Sequence, residues 1–129
     1  MRVYYEFPLS EQPVDAFQKL VESIDDTNIW RGHLEIKKID QNNRESILAF
    51  RRRKQMEWVG RNRNDLSIMI KYGEGPLKGY QIFQVLQEKI IIRLDVKMRG
   101  LWYPFTSYAV SHVLEGEIKA LHRLFPSSV

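Results

Sequence analysis

The sequence predicts an α+β fold in which a curved, seven-stranded antiparallel sheet packs against a long C-terminal helix. Two observations support this prediction. Apolar residues occupy every second position through most of the middle of the chain, which indicates half-buried strands separated by short polar or glycine-containing turns. The C-terminal segment instead repeats with a helical period and places one broad apolar stripe on a single face.

The beginning of the chain predicts one strand followed by two helices. Residues 2–9 alternate between apolar and polar side chains, and Pro8 suits the end of a strand because it lacks an N–H group. Ser10 is a predicted N-cap for a helix over residues 11–23. Residues 25–30 resemble the start of a second, short helix that Gly32 ends.

Six strands and one long helix are predicted after that point. Their order gives β-α-α-β6-α for the whole chain, and a sheet of this width curls because strands twist. The expected strands cover residues 34–40, 47–53, 55–61, 66–72, 80–86 and 90–98. The expected helix covers about residues 104–125.

Length and composition describe one ordinary folded domain. The chain has 129 residues, of which 43% are hydrophobic and 28% charged, so we expect residues 1–129 to form a single domain. No cysteine is present, which excludes disulfides, thiolate metal sites and thiol catalysis. The N-terminal residues lack the apolar run of a secretion signal, and no stretch is apolar enough to cross a bilayer. We therefore expect a cytoplasmic protein.

The net charge of +4 is concentrated in one segment. Within residues 51–63, six basic residues stand against the single acid Glu57. A basic patch of this kind attracts RNA, a ribosome or an anionic membrane surface, but it also keeps strand edges from pairing with neighbouring molecules. Both interpretations remain open for the residues of the predicted patch: Arg51, Arg52, Arg53, Lys54, Arg61 and Arg63.

The order and patterning of these elements resemble the helix-grip fold of the START-like, or SRPBCC, superfamily. The resemblance rests on the opening strand VYYEFPL with SEQPVDAFQKLVESIDDTNIW after it, and on the ending KIIIRLDVKMRGLWYPF…SHVLEGEIKALHRLF. That superfamily includes birch-pollen-allergen relatives, polyketide cyclase-like proteins and coenzyme Q-binding proteins. The resemblance implies binding of a lipid, isoprenoid, polyketide or other hydrophobic molecule between sheet and helix. It implies no shared catalytic motif.

A single helix is too narrow to fill the concave face of a wide sheet, so the pattern predicts an apolar cavity between them. Assigning sides by strand parity and by the helical wheel gives a set of expected lining residues. They are Trp58, Ile68, Ile70, Tyr80, Ile82, Val110, Val113, Leu114, Glu117 and Ile118.

Glu117 is the most informative of these residues because it falls inside the apolar stripe of the last helix. A buried carboxylate needs a partner, a water molecule or a raised pKa. In a functional interpretation, Glu117 anchors the polar part of a ligand or acts as a general acid or base. In a structural interpretation, its side chain only reaches solvent or a sheet arginine. These alternatives stay open at the level of sequence.

The sequence carries no other signal for chemistry. His112 and His122 lie off the apolar stripe without the i, i+4 spacing of helical metal ligands, and the lone His33 precedes a strand. No nucleophile elbow or phosphate-binding glycine loop is present. We therefore assign no catalytic residue, no metal and no cofactor.

The leading interpretation is a small binding protein for a hydrophobic molecule. Two alternatives remain: an enzyme of the cyclase or dehydratase type that uses Glu117, and a module that contacts RNA, ribosome or membrane through the basic hairpin.

Overall fold

The computed structural model describes residues 1–126 of the chain, so the last three residues of the predicted domain lie outside the described residues. It contains one seven-stranded antiparallel sheet and two α-helices, which confirms the predicted architecture. The elements in chain order are β1 (Arg2–Pro8), α1 (Pro13–Ser23), β2 (His33–Lys38), β3 (Asn43–Leu48), β4 (Lys54–Asn62), β5 (Ser67–Tyr72), β6 (Leu77–Leu86), β7 (Lys89–Met98), a 3₁₀ helix (Gly100–Phe105) and α2 (Thr106–Leu124).

The strands from β2 to β7 form a meander in which each strand pairs with the next one in the chain. The exception is β1, which pairs with β7 at the far end of the sequence, with Val3 opposite Leu94. The order across the sheet is therefore β1-β7-β6-β5-β4-β3-β2. The edges are β1 and β2.

One face of the sheet is buried by α1 and α2 and holds the core. The alternation that the sequence shows in β5 and β7 places Ile68, Ile70 and Ile92 inside, where they are at most 1% exposed. Trp30, between α1 and β2, packs its ring edge-on against Phe83 with 5.3 Å between centroids. Among residues 1–126, no helix is long and apolar enough to cross a bilayer.

Two predicted elements differ in the structure. Residues 25–30 form turns instead of a short helix. The carboxylate of Asp26 accepts a hydrogen bond from the backbone N–H of Asn28 at 2.8 Å, a local bond that favours a turn over a helix. The predicted strand 47–53 overlaps β3 (Asn43–Leu48) only at Ile47 and Leu48, because Arg51 and Arg52 adopt φ of 59° and 51°, a left-handed conformation that a strand cannot contain.

The last helix also begins later than expected. Residues 100–105 form a 3₁₀ helix that contains Pro104, and α2 starts at Thr106. The Thr106 hydroxyl accepts a hydrogen bond from the Met98 N–H at 3.0 Å, which fixes the junction between β7 and α2. This connection sets the position of α2 across the concave face.

Candidate functional site

Polar side chains are buried on the concave face, where the fold would otherwise be apolar. We call this set the inner polar cluster. The alternation of β3 and β4 turns Arg44, Ser46 and Glu57 inward, while β2, β6 and α2 each contribute one further member. Its members are His33, Arg44, Ser46, Glu57, Gln81 and Glu117, all less than 9% exposed.

Glu57 is the most completely partnered member of the inner polar cluster. Its Oε1 accepts a hydrogen bond from Arg44 Nε at 2.8 Å. Its Oε2 accepts one from the Ser46 hydroxyl at 3.0 Å and lies 3.0 Å from His33 Nε2. Burial alone would raise the pKa of Glu57, but His33 and then Arg44 outweigh burial and lower the pKa to about 2. Glu57 is therefore an ionised group inside the protein.

Arg44 ties this carboxylate to the segment after α1. Its Nη1 donates to the carbonyl oxygen of Ile24 at 2.8 Å and to the carboxylate of Asp25 at 2.9 Å. The guanidinium is thus satisfied on both sides, as a buried charge requires. Arg44, Ser46 and Glu57 therefore stabilise the structure, and their polar atoms have little free hydrogen-bonding capacity.

Glu117 has a different environment. It is 3% exposed, and its Oε2 accepts a hydrogen bond from Gln81 Nε2 at 2.9 Å. Burial raises its pKa above the ordinary value, against the lowering effects of His33 and of the Gln81 hydrogen bond, and the ionised Glu57 raises it further. Its predicted position inside the stripe is confirmed. It meets a sheet glutamine, not solvent or a sheet arginine, and its ligand-binding or catalytic role stays a prediction.

Two buried atoms beside Glu117 have no hydrogen-bond partner among the described residues: His33 Nδ1 and Gln81 Oε1. An unpaired polar atom in the interior costs about 1–3 kcal/mol unless a water or ligand satisfies it. The interior therefore offers unused hydrogen-bonding capacity next to a carboxyl group whose pKa is raised.

An opening between α2 and the turn after β3 leads towards these groups. It comprises a cleft of about 230 Å³ and, beside it, an apolar pocket of about 30 Å³. Both are bordered by Gly32, and a Cβ atom at Gly32 would lie 4.0 Å from Glu117 Oε1. We call the opening the entrance groove; its residues are Gly32, Ala49, Phe50, Ala109, His112 and Val113.

The inner pocket is small for its class. Typical small-molecule sites measure roughly 300–1,000 Å³, so a ligand larger than a water molecule requires this pocket to widen. The rim is aromatic: Phe50 lies 5.7 Å from Tyr108 and 5.8 Å from His112, measured between ring centroids. These three side chains therefore form the rim of the groove.

The predicted lining residues divide into two groups. Ile68, Ile70, Val110 and Glu117 are buried between sheet and helix, and α2 packs Val113, Leu114 and Ile118 against the same core. The placement of Trp58, Tyr80 and Ile82 on this face is wrong. They lie on the outer face because their neighbours Glu57, Val59, Gln81 and Phe83 point inward, and Trp58 and Tyr80 are 39% and 37% exposed.

Sequence reasoning missed His33, Arg44, Glu57 and Gln81 as a group. The sequence of β4 indicated part of this cluster. Gln55, Glu57 and Val59 are at alternate positions and so face the same side of the sheet, and Glu57 is the only acid within residues 51–63. A charged residue that alternates with a buried valine along a strand points into the interior and indicates buried polar groups there. Arg44 and Ser46 repeat this pattern in β3.

The predicted basic patch does not form one surface. Arg51, Arg52, Arg53 and Lys54 lie at one end of β4, and Arg61 and Arg63 lie at the other, roughly 25 Å away for a strand of this length. Arg61 donates to the carbonyl oxygen of Gln41 at 3.1 Å, and Arg63 donates to the side chain of Gln18 at 3.1 Å. Only the first four residues remain together.

No protein-family model and no curated protein sequence matches this chain. Several solved structures share its fold. A START superfamily protein from Mycobacterium smegmatis aligns with a TM-score of 0.78 at 13% identity over 99% of each chain. The Zhui aromatase/cyclase from Streptomyces sp. R1128 aligns at 0.76 and 9% identity, over 96% of this chain and 93% of that one.

The structure of Ara h 8.0201 aligns with a TM-score of 0.64 at 10% identity, over 94% of each chain. All three likenesses extend over nearly the full length, from β1 to α2. At these identities the likeness concerns the backbone arrangement, not the site residues. The chain therefore has the helix-grip fold of the START-like, or SRPBCC, proteins.

Proposed function

We propose that this protein binds a small ligand with an apolar body and one neutral polar group between the sheet and α2, through the entrance groove. The observation that carries this proposal is the position of Glu117. Glu117 is a buried carboxyl group with a raised pKa, and it lies directly behind Gly32. Gly32 borders both the cleft and the apolar pocket. The START-like fold favours a hydrophobic small molecule as the ligand class.

The inner polar cluster favours a neutral polar group on that ligand. When Glu117 is protonated it can donate one hydrogen bond, and Gln81 Oε1 can accept one. A hydroxyl or carbonyl group matches these atoms. A carboxylate would add a negative charge near Glu57, which is already ionised, and like charges in a low-dielectric interior repel strongly.

Binding of a neutral apolar probe tests the proposal. We expect N-phenyl-1-naphthylamine to gain fluorescence on saturable, one-to-one binding, and native mass spectrometry of protein purified without detergent to show a hydrophobic adduct. Gly32→Leu fills the entrance groove and should weaken binding about tenfold or more, since it places a branched side chain in the path to Glu117. Gly73→Ala, outside the groove in the turn after β5, is the control, because its added methyl group would lie at an ordinary contact distance, 3.5 Å from Met56 Cβ.

The proposal fails if the wild-type protein shows no saturable probe binding and no adduct. It also fails if Gly32→Leu, shown by thermal unfolding to be folded, binds the probe as well as the wild type does. Glu117→Gln distinguishes the polar end from the apolar body. It should leave probe binding intact but weaken binding of hydroxylated analogues, whereas Glu45→Gln, which lies outside the groove beside Lys54, should change neither.

A further inference from the structure

A second surface of the molecule is exposed, apolar and unexplained by the proposed ligand site. The 3₁₀ helix after β7 presents Leu101, Tyr103 and Phe105 to solvent at 95%, 60% and 49% exposure, and Tyr108 in the first turn of α2 is 62% exposed. Adjacent large apolar side chains that remain in solvent mark an interaction site more often than scattered ones do.

The arginine turn after β3 lies against this segment. The guanidinium carbon of Arg51 is 4.3 Å from the centre of the Trp102 ring, and that of Arg53 is 5.8 Å from it. Arg52, between them, is exposed. Residues 49–54 and 99–108 contain no acidic residue. We call the combined area the aromatic–arginine surface; its residues are Arg51, Arg52, Arg53, Leu101, Trp102, Tyr103, Phe105 and Tyr108.

We propose that the aromatic–arginine surface docks the protein onto an anionic lipid bilayer. Tyrosine and tryptophan rings favour the headgroup region of a bilayer, and a fully exposed leucine contributes by entering the acyl boundary. Arginines at the same level meet lipid phosphates, and each is worth roughly a fivefold gain in affinity near an anionic surface. The chemistry of both halves of the surface therefore matches one partner.

A nucleic acid fits the same surface less well. Arginines would meet its phosphates, but its bases need free aromatic faces for stacking, and the Trp102 ring is already covered by Arg51. Leu101, the most exposed apolar side chain of the surface, has no role in such a complex.

Docking through the aromatic–arginine surface sets the direction in which the entrance groove faces. Tyr108 of the aromatic–arginine surface lies 5.7 Å from Phe50 of the entrance groove, measured between ring centroids, and a shallow hollow connects Arg51 and Phe105 with His112. A protein docked in this way turns its entrance groove towards the lipid. Docking itself does not depend on the proposed ligand, so the two proposals can fail separately.

Vesicle flotation of the full chain tests docking. We expect binding to phosphatidylcholine vesicles that contain about 30% phosphatidylglycerol, little binding to pure phosphatidylcholine, and a decrease with added salt. The double substitution Arg52→Glu, Arg53→Glu should weaken binding at least about 25-fold. Lys37→Glu, Lys71→Glu makes the same change in net charge elsewhere and should have a much smaller effect.

The apolar half requires its own variant. Leu101→Glu should weaken binding about tenfold or more, whereas Leu86→Glu, at the opposite end of β6, should not. Brominated lipids should quench the fluorescence of Trp102, and Trp102→Phe should abolish the quenching that Trp58→Phe preserves. Absence of binding to the anionic vesicles overturns the proposal. So does equal loss in the control variants, or binding to RNA that depends on the arginines but not on Leu101.

Discussion

Gln81 Nε2 donates a hydrogen bond to Glu117 Oε2 over 2.9 Å, and this bond joins the middle of β6 to α2 inside the core. Both residues are buried, so the bond does not compete with solvent. Because one amide donor compensates only part of the cost of a buried carboxylate, the pKa of Glu117 remains raised. The sheet and the long helix therefore meet at a group whose protonation affects stability.

Glu117→Gln should become more favourable relative to the wild type as the pH rises. The folded-state pKa of Glu117 is raised, so its contribution to stability is complete below the unfolded-state pKa of about 4.3 and is lost as the pH rises through the folded-state pKa. Glutamine is neutral throughout and has the same shape. Urea unfolding of both proteins between about pH 4 and 8 measures the difference.

Glu115→Gln is the matched control on the same helix. Its exposed carboxylate pairs with Lys119 at 2.9 Å, and this contact lowers the pKa of Glu115. Its pH dependence should be small and opposite in sign. A flat difference between wild type and Glu117→Gln over this range would show that Glu117 is not buried in the way described.

Glu57→Gln should be strongly destabilising at neutral pH, by roughly 3 kcal/mol or more, because it leaves the buried guanidinium of Arg44 without its closest carboxylate. The folded-state pKa of Glu57 is lowered to about 2, so its stabilising effect is present above about pH 4.3 and is lost as the pH falls towards 2. The variant and wild type should therefore converge in free energy of unfolding over that range.

The comparison with Glu57→Gln is Glu45→Gln, which removes a partly exposed carboxylate 3.7 Å from Lys54 on the same pair of strands. Exposed pairs contribute about 0–1 kcal/mol. Equal losses in the two variants, measured by denaturant unfolding at pH 7, would refute the structural role assigned to Glu57.

Gly79→Ala should be among the most destabilising glycine substitutions in the chain. Gly79 has φ of 121°, and a Cβ atom there would overlap the carbonyl oxygen of Asp95 on the paired strand β7. We expect a loss of about 2 kcal/mol or more. Gly116→Ala, in open space within α2, should instead stabilise by about 0.5–1 kcal/mol. Thermal unfolding of both variants checks the contrast, which disappears if Gly79 does not have a positive φ next to the Asp95 carbonyl.

The strand pattern made most of this fold predictable. Ile68 with Ile70 in β5, and Leu94, Val96 and Met98 in β7, alternate with outward-facing residues, so the inward face of these strands could be read from the sequence. The turn after β3 could not be predicted in this way. Arg51 and Arg52 adopt left-handed backbone angles, which a sequence usually indicates by glycine or asparagine and not by arginine.

The site was less predictable than the fold. The helical wheel located Glu117 because a helix has a fixed period. Tyr80 was placed on the wrong face because β6 is apolar on both parities, so periodicity alone could not assign it. The His33–Glu57 contact joins β2 to β4 across β3, a relationship between strands that are not neighbours in the sheet and that no local spacing reveals.

The pairing of β1 with β7 also affects how the chain is made. Val3 and Phe7 belong to the first strand of this sheet in chain order, yet their partners Leu94 and Ile90 follow more than eighty residues later. At ordinary translation rates this interval lasts roughly 5–20 s. Throughout that time an apolar edge strand has no partner, while the hairpins between β2 and β7 can close as they emerge. Chaperone dependence and misassembly during synthesis should therefore be concentrated in the first eight residues.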